Sequence, residues 1–495
     1  MIRMAKFTVA ALVLALTSAC GGQDAPVAAT PETVETNPEI LKVETGLLQR
    51  VQIEGEPAER LSLADRMAWY GVPGVSIAVI RDGKIAWAKG YGVLEAGKDT
   101  AVNQDTLFQA GSISKPVAAI GALKLVEQGK LQLDTPINDV LTGWKIPDNA
   151  FTKQTPVTLR QIMSHSAGLT VHGFPGYAAG EPVPTVQQVL DGAPPANTPA
   201  VRVDKLPGES WRYSGGGYTV MQLAMTDVAK QDFVPLMDEL VLKPAGMARS
   251  SYLNPLPANN LANAAVGHER GGKAIEGLRH TYPEMAAAGL WTTPSDLARM
   301  GLALVAAARG ETGAILGPDM TKQMLTLQKK DYGLGFALED DGDGQVFSHG
   351  GSDEGFEALF FTYTDGHGGA AIMTNGQRGG ILASEIAASL AAAYGWKYGA
   401  PETRKVVALT PERAALFTGE YMAKRDGRPD LRLTITAEGD KLWIAAEPMM
   451  RKQRFYVASD STAFAISAPV GPYSVDAAGR AVSIQINPNT VAVRK

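Results

Sequence analysis

The chain reads Gly111-Ser112-Ile113-Ser114-Lys115 at the point where an extended segment gives way to a long apolar helical run. A serine hydroxyl is a poor nucleophile until a base takes its proton. A lysine three positions further along a helix lies on the same face, about 5–6 Å away between Cβ atoms, so Lys115 could act as the base for Ser112 or hold one in place. Because about one such tetrapeptide is expected by chance in a chain of this size, a serine that caps the helix beside a solvated lysine is the alternative.

The composition is that of an acidic, soluble, globular protein. For 495 residues, two domains plus a tail is the natural expectation. Apolar residues make up 45% of the chain and charged residues 20%, which is enough to build a large core. The net charge of −5 and the lack of a dense Lys/Arg cluster argue against a nucleic-acid partner.

The first twenty residues have the layout of a secretory signal peptide. Arg3 and Lys6 precede an apolar run over residues 7–16, and the small residues Thr17-Ser18-Ala19 follow. The run is too short to span a bilayer comfortably, and the small residues are typical of a cleavage site. We therefore expect residues 1–20 to direct export.

The only cysteine of the chain, Cys20, comes directly after this cleavage site. Its position resembles the lipobox of bacterial lipoproteins, in which the cysteine is acylated and becomes the mature N-terminus. Thr17 stands where that motif usually has leucine, and a stray thiol in a removed peptide is the alternative. Since Gly21 rather than aspartate follows, the resemblance implies a periplasmic protein attached to the outer membrane through a lipidated Cys20.

The remaining sequence falls into three parts. Residues 21–39 are rich in Ala, Pro, Thr, Gly and Glu and are typical of a flexible tether. Periodic patterns begin near Ile40 and change in texture after Pro401, so we expect a main domain over residues 40–400 and a second domain over 401–495. In the second domain, short runs of alternating apolar and polar residues predict a small antiparallel barrel or sandwich.

The main domain has strand patterns near both ends and helical patterns between them. The predicted strands are residues 75–80 and 85–91, which form a hairpin, and residues 332–338, 345–349, 356–362 and 370–374. The predicted helices are residues 60–70, 112–128 and 382–394, and one that begins at Pro294 after the capping Thr293. We expect an α/β fold of the α+β type: a mainly antiparallel sheet flanked by helices, with a helical subdomain.

A tyrosine lies before a glycine triplet in the segment Tyr213-Ser214-Gly215-Gly216-Gly217. Glycines let the backbone approach another element closely. If cations such as Lys115 surround it, the phenol of Tyr213 would have a lowered pKa and could carry a proton. A buried structural tyrosine in a glycine-rich turn is the alternative.

Two histidines lie in different contexts. The segment Ser348-His349-Gly350-Gly351-Ser352 ends a predicted strand. Glycines there permit close ligand approach, and a backbone N–H can point at a developing oxyanion; an exposed histidine in a turn is the alternative. His165, in Ser164-His165-Ser166, is better explained as a backbone hydrogen-bond partner where a helix ends.

In this order and at these spacings, the segments resemble the serine β-lactamase and penicillin-binding-protein-like superfamily, in particular class C β-lactamases and the related esterases and D-peptidases. The motifs of that family are Ser-x-x-Lys, Tyr-x-Asn, and Lys-Thr-Gly or His-x-Gly. The resemblance covers about residues 50–400 and includes three further segments, 164–169, 243–247 and 288–298. Residues 401–495 resemble the lipocalin-like β domains that often follow this module.

The resemblance implies a catalytic role for three side chains. Ser112 would be the nucleophile that becomes acylated, and Lys115 and Tyr213 would share the general-base and general-acid work. The backbone N–H groups of Ser112 and Ser352 would form the oxyanion hole.

The resemblance also implies that His349, Gly350 and Gly351 bind the substrate, with His349 facing the leaving group or the substrate carboxylate. Two departures bear on that role. Gly215 stands where the family has asparagine, and His349-Gly350 stands where β-lactam-hydrolysing members usually have Lys-Thr. A site without those donors discriminates less for carboxylated amides, so the substrate expectation shifts away from β-lactams.

We expect no metal and no cofactor. His268-Glu269 lacks the second histidine of a zinc-protease helix, Asp341-Gly342-Asp343 lacks the glycine and glutamate of a calcium loop, and no serine lies in Gly-x-Ser-x-Gly. The expected protein is an exported serine hydrolase that acts through an acyl-enzyme on a small-molecule ester or a D-amino-acid peptide or amide. A class C-type β-lactamase or D,D-carboxypeptidase, and a non-catalytic penicillin-binding or envelope-interaction protein, are the alternatives.

Overall fold

The computed structural model describes residues 37–424, 429–446, 450–466, 471–487 and 490–495. The predicted signal peptide with Cys20, and residues 21–36 of the predicted tether, lie outside the described residues. The helices are α1 (Pro38–Thr45), α2 (Leu63–Tyr70), α3 (Ser114–Glu127), α4 (Ala150–Gln154), α5 (Leu159–Met163), α6 (Val186–Asp191), α7 (Gly215–Ala229), α8 (Phe233–Met237), α9 (Met285–Ala288), α10 (Pro294–Ala308), α11 (Pro318–Met324), α12 (Gly379–Tyr394) and α13 (Pro411–Ala415).

The strands of the described residues fall into the two predicted domains. Those of the first part are β1 (Val51–Ile53), β2 (Gly74–Arg81), β3 (Lys84–Gly92), β4 (Phe108–Gln109), β5 (Trp291–Thr292), β6 (Ala337–Asp340), β7 (Gln345–Asp353), β8 (Phe356–Tyr363) and β9 (Gly368–Thr374). Those that follow are β10 (Glu402–Arg404), β11 (Gly419–Ala423), β12 (Leu431–Glu438), β13 (Lys441–Ala446), β14 (Met450–Val457), β15 (Thr462–Ala465), β16 (Gly471–Val475), β17 (Ala481–Asn487) and β18 (Thr490–Arg494).

The central sheet has six antiparallel strands in the order β3-β2-β9-β8-β7-β6. Strands from both ends of the main domain meet in it, which confirms the predicted α+β architecture. Successive residues of β8 point to opposite faces: Phe360 joins the core that contains α3 and α10, whereas Phe361 joins the core that contains α12. Helices therefore cover both faces of the sheet.

Helix α3 runs through the middle of the larger core. Residues 114–123 and Leu125 are all buried, including the polar Ser114 and Lys115. A helix that is apolar on every side is buried on every side, and α7, α9 and the helical turn Asp238–Leu242 pack directly against it. This burial fixes the N-terminal end of α3, where Ser112 lies.

The C-terminal part confirms the predicted small β barrel. Strands β11 to β18 form a closed antiparallel barrel of eight strands, and Leu433 and Ile435 alternate into its core as the sequence pattern predicts. Before the barrel, β10 pairs in parallel with β1, and Val51 and Ile53 of β1 pack against aromatic side chains of the barrel. Residues 38–495 form one compact unit, and the division between residues 400 and 401 stays a prediction.

Several predicted elements have different bounds in the structure. Strand β7 runs to Asp353 rather than ending at residue 349, and α12 begins at Gly379 rather than at residue 382. Helix α2 begins at Leu63 rather than near residue 60, because the Ser62 side chain accepts a hydrogen bond from the backbone N–H of Asp65 at 3.0 Å and caps the helix there. The predicted strand over residues 332–338 is wrong, since β6 begins only at Ala337. Gly335 has a φ of +103° and turns the backbone, and its N–H bonds to a carbonyl outside the sheet.

Within the described residues, helices are too short or too polar to cross a bilayer.

Candidate active site

Ser112 lies in one turn of 3-10 helix, Gly111–Ile113, that leads directly into α3. Its Oγ accepts a hydrogen bond from Lys115 Nζ at 2.9 Å, and the same ammonium nitrogen donates to the carbonyl oxygen of Ala287 at 2.8 Å. Lys115 is 1% exposed, whereas Ser112 is half-buried and open to solvent on one side. The pair is therefore a contact between a buried amine and an accessible hydroxyl, not a cap beside a solvated lysine.

The environment of Lys115 favours its neutral form. Burial lowers the pKa of Lys115 to about 7, and the carboxyl group of Asp353 opposes this by raising it. A buried ammonium loses its hydration, and only part of that loss is offset by the two hydrogen bonds. Near neutral pH a large fraction of Lys115 is therefore uncharged and can accept the proton of Ser112.

Tyr213 lies beside this pair and remains protonated. The Lys115 ammonium nitrogen is 5.0 Å from the centre of the Tyr213 ring. Burial raises the pKa of Tyr213 well above its ordinary value, and a hydrogen bond with Ser112 offsets only part of the rise. The prediction of a lowered pKa for Tyr213 is wrong, because burial of the phenol raises the pKa. Tyr213 is thus a proton donor, and Lys115 is the better base.

The predicted oxyanion donors lie where β7 meets the turn before α3. A Cβ atom on Gly111 would collide with the backbone nitrogen of Ser352, and one on Gly351 would collide with the carbonyl oxygen of Ala110. The two backbones therefore touch, which sets the N–H of Ser352 at the same junction as the N–H of Ser112. The N-terminal end of α3 adds a partial positive charge there.

The two glycines of β7 differ in how closely they are packed. Gly351 is required so that β7 can close against Ala110, not for ligand approach. Gly350 is exposed, and the nearest atom to a Cβ there would be the carbonyl oxygen of Ala358 at 3.9 Å. Only Gly350 therefore leaves open space of the kind that the sequence interpretation assigned to both.

His349 is buried and neutral. Its Nδ1 is 2.5 Å from the carbonyl oxygen of Gly350, so Nδ1 carries the hydrogen and Nε2 is left as an acceptor. Burial lowers the pKa of His349 to about 3, with a further contribution from the Lys115 charge. A neutral ring offers no charge to a substrate carboxylate. Its centroid lies 6.2 Å from that of Tyr213, beside the proton donor.

Position 215 is tightly packed where the family motif carries asparagine, so a side chain there would need its neighbours to shift. A Cβ on Gly215 would lie 3.0 Å from both the carbonyl oxygen of His172 and a ring carbon of Phe174. Ser214 caps α7 by accepting a hydrogen bond from the N–H of Gly217 at 2.9 Å. The glycine triplet thus lets α7 start directly against the loop around residue 172.

His165 has the backbone contact that the sequence suggested. It follows the end of α5, and its Nδ1 accepts a hydrogen bond from the backbone N–H of Ser214 at 3.1 Å. The interpretation as a backbone partner is confirmed.

Two buried carboxyl groups near the site were missed. Asp353 follows Ser352 on β7, is 6% exposed, and raises the pKa of Lys115. Glu284 immediately precedes α9, is fully buried, and has its pKa raised to about 8 by that burial. Neither belongs to a recognisable motif. Only the charge directly after the oxyanion serine could have drawn attention to Asp353.

Comparisons with known proteins bear on the family and the fold of this chain. The Beta-lactamase family model matches residues 62–394. The chain is 26% identical over 227 residues to "Protein flp" of Staphylococcus aureus (strain N315), covering 45% of this chain and 42% of that protein. It is 25% identical over 253 residues to "D-alanyl-D-alanine-carboxypeptidase/endopeptidase AmpH" of Escherichia coli (strain K12), covering 49% of this chain and 62% of that protein.

A solved structure shows the same fold over most of the chain. It is the octameric penicillin-binding protein homologue from Pyrococcus abyssi, with a TM-score of 0.60 at 20% identity, covering 87% of this chain and 98% of that chain. The chain spans less than two thirds of the curated relatives named above, so those two likenesses concern part of each protein. The family model covers most of the main domain, and the chain belongs to the β-lactamase family.

Proposed function

We propose that this protein is a serine hydrolase that forms an acyl-enzyme on Ser112 with a small ester or a D-amino-acid peptide or amide. The observation that carries the proposal is the 2.9 Å contact between Ser112 Oγ and the buried amine of Lys115. A pKa near 7 gives that amine the basicity that the first step needs. A purely structural lysine would gain nothing from being buried with a lowered pKa.

The reaction uses the two proton carriers in turn. Neutral Lys115 takes the proton of Ser112 as Oγ attacks the substrate carbonyl, and the N–H groups of Ser112 and Ser352 stabilise the negative oxygen. Tyr213 donates its phenolic proton to the leaving group as the bond to it breaks, and Lys115 returns a proton to Tyr213. Water then attacks the acyl group, with the same two side chains removing its proton and restoring Ser112.

Leaving groups without a carboxylate fit this site better than carboxylated ones. His349 lies beside Tyr213, the proposed proton donor to the leaving group, and the low pKa of His349 keeps it neutral. Carboxylates are recognised best by charged donors such as arginine or lysine. We therefore rank an ester or an uncharged amide above a β-lactam or a peptide with a free terminal carboxylate.

Two other functions have support. The likeness to a protein described as a D-alanyl-D-alanine carboxypeptidase/endopeptidase favours a peptidase. Some members of the family are non-catalytic, and a penicillin-binding protein without turnover would keep the same fold. The contact of Ser112 with Lys115, and the presence of Tyr213, favour catalysis over that last function.

A substrate comparison tests the ranking. We expect the protein to hydrolyse a p-nitrophenyl ester at least tenfold faster, in kcat/KM, than a chromogenic cephalosporin or a peptide ending in D-Ala-D-Ala. Spectrophotometry follows the first two, and chromatography of released D-alanine follows the third. The variant Ser112→Ala is the blank for each. Rapid cephalosporin hydrolysis without esterase activity would reverse the ranking. Equal turnover by the wild type and by Ser112→Ala would refute the proposed role of Ser112.

We also propose that the protein is exported and held at the outer membrane through Cys20. The support is the sequence pattern of residues 1–20. Expressed in full length in a Gram-negative host, the wild type should fractionate with outer membranes. The variant Cys20→Ser, which cannot be acylated, should appear in the soluble or unprocessed fraction. If Cys20→Ser stays with the outer membrane in processed form, another contact holds the protein there.

A further inference from the structure

Two histidines flank the ring of Tyr213, and they differ in their burial and in the contacts of their side chains. The ring centroid of His165 lies 4.1 Å from that of Tyr213, and the ring centroid of His172 lies 4.8 Å from it. His165 is 2% exposed, whereas His172 is exposed at the surface. The two contacts therefore have similar ring geometry but different surroundings, which makes them a matched pair.

His165 also holds the backbone on both sides of Tyr213. Its Nδ1 accepts the N–H of Ser214 at 3.1 Å, and its carbonyl oxygen accepts the N–H of Arg212 at 2.7 Å. One residue thus binds the positions immediately before and after Tyr213, and its ring covers one side of the phenol. For His172, the described contacts include the ring contact with Tyr213 and a carbonyl bond to the N–H of Gly215.

This arrangement has a cost that stability alone does not explain. His165 has a φ of +56°, a left-handed conformation that is uncommon outside glycine, although histidine and asparagine adopt it more readily than most residues. Its Nε2, which carries the hydrogen because Nδ1 accepts, is buried without a hydrogen-bond partner among the described residues. Strained backbone and unpaired buried donors are both unfavourable, and they persist where the surrounding structure uses them for function.

The ring of His165 also keeps charge away from the proton carriers. Burial holds the pKa of His165 well below its usual range, and the charge of Lys115 lowers it further. The other histidines that face it are His349 and His172, and burial lowers the pKa of both. The rings of Tyr213, Tyr218 and Tyr332 also pack against His165, and burial raises the pKa of each phenol, so these neighbours are neutral as well. A neutral ring can therefore support Tyr213 without repelling a proton on Lys115.

We propose that His165 is a positioning residue that holds the Tyr213 hydroxyl in line with Ser112 and the leaving group. The inference rests on the proposed catalytic role of Tyr213 and goes beyond it. Displacement of a catalytic group by about 1 Å from a distant substitution can cost about 100-fold in rate. Loss of His165 should therefore lower kcat through Tyr213 without changing the substrates that the site accepts.

The test compares two replacements that separate the ring from the acceptor. His165→Phe keeps an aromatic ring but loses the acceptor for Ser214 and strains the left-handed backbone. His165→Asn keeps an acceptor, and asparagine tolerates that conformation better than most residues. We expect kcat on a p-nitrophenyl ester to fall about 100-fold for His165→Phe and about tenfold or less for His165→Asn. KM should stay within threefold in both.

The matched control is His172→Phe, which should keep kcat within threefold. The burst of p-nitrophenol counts the competent sites, so kcat is expressed per reacting site and the thermal midpoint is followed in parallel. If His165→Phe keeps the wild-type kcat per site and merely unfolds earlier, His165 is only structural and the inference fails. An equal loss in His172→Phe would also overturn it. A wild type without Ser112-dependent turnover would instead refute the proposed function itself.

Discussion

Replacing Ser112 by alanine should lower kcat by about four to six orders of magnitude on whichever substrate the wild type prefers. This loss of kcat is of the size seen when the nucleophile is removed from acyl-transfer enzymes, in which the catalytic residues act as a unit. Among the described residues, the hydroxyl that hydrogen-bonds Lys115 Nζ is that of Ser112, and it lies at the junction of α3 with β7, so we expect no neighbour to replace it. Intact-protein mass spectrometry of a slowly hydrolysed ester should show one acyl group on the wild type and none on the variant.

The matched control is the second serine of the same tetrapeptide. Ser114 Oγ donates to the carbonyl oxygen of Gly111 at 2.6 Å and accepts the N–H of Leu290 at 3.0 Å, and the side chain is fully buried. Ser114→Ala should lose stability by about 1–3 kcal/mol, since it leaves a buried donor unpaired, yet still become acylated. Acylation of Ser112→Ala at the wild-type rate would show that the nucleophile is elsewhere.

Activity should fall as the pH drops below about 7, because Lys115 then becomes protonated and can no longer take the proton of Ser112. For a single ionisation with the pKa near 7, kcat/KM declines about tenfold per pH unit on the acidic side. Lys115→Met should be slower by about three orders of magnitude at pH 8, in line with the loss of one acid–base group and its partner. Lys115→Arg stays charged at every accessible pH, so its rate should be low and should not change between pH 5 and pH 9.

The same lysine gives a stability signature with a definite sign. Its pKa is lowered in the folded state, so between about pH 7 and its ordinary value of 10.5 the unfolded chain binds the extra proton. The free energy of unfolding therefore rises with pH across this window, and below it the full cost of burying the charge is present. Denaturant titrations at pH 6 and pH 9 should show this rise in the wild type and lose it in Lys115→Met. The control is Lys124→Met, on the same helix but paired with Glu127 at the surface.

For the catalytic prediction, a wild-type kcat/KM that does not change between pH 8 and pH 5 would contradict the role of Lys115 as the base.

The sequence predicted the parts of the site that depend on local order. Ser112 and Lys115 lie three positions apart at the start of a helix, and that spacing alone brings their side chains together. The hairpin of β2 and β3, the Thr293 cap of α10 and the alternation in the barrel strands depend on near neighbours in the chain, and the structure confirms them. The catalytic roles assigned to these residues stay predictions.

Features that depend on burial by distant segments were predicted less well. The proximity of Lys115 suggested a lowered pKa for Tyr213, but the sequence does not reveal how completely other elements enclose the phenol, and that enclosure decides the direction. Similarly, Gly351 was predicted to leave space for a ligand. In the structure the backbone of Ala110, from another part of the chain, occupies that space. The apolar alternation near Phe336 predicts a strand. In the structure the backbone turns at Gly335, and Leu334 and Phe336 are buried in the core without belonging to a strand.

The pairing of β1 with β10 bears on how such modules are exchanged between proteins. The three residues of β1, which lies between α1 and α2, pair with three residues that follow α12. Val51 and Ile53 then rest on Tyr456 and Phe464 of the barrel. A chain cut after residue 400 would leave β1 without its partner strand and expose both apolar side chains. The main domain and the barrel are therefore joined through β1. A recombination event that gains or loses the barrel must also supply another partner strand and another apolar cover for β1.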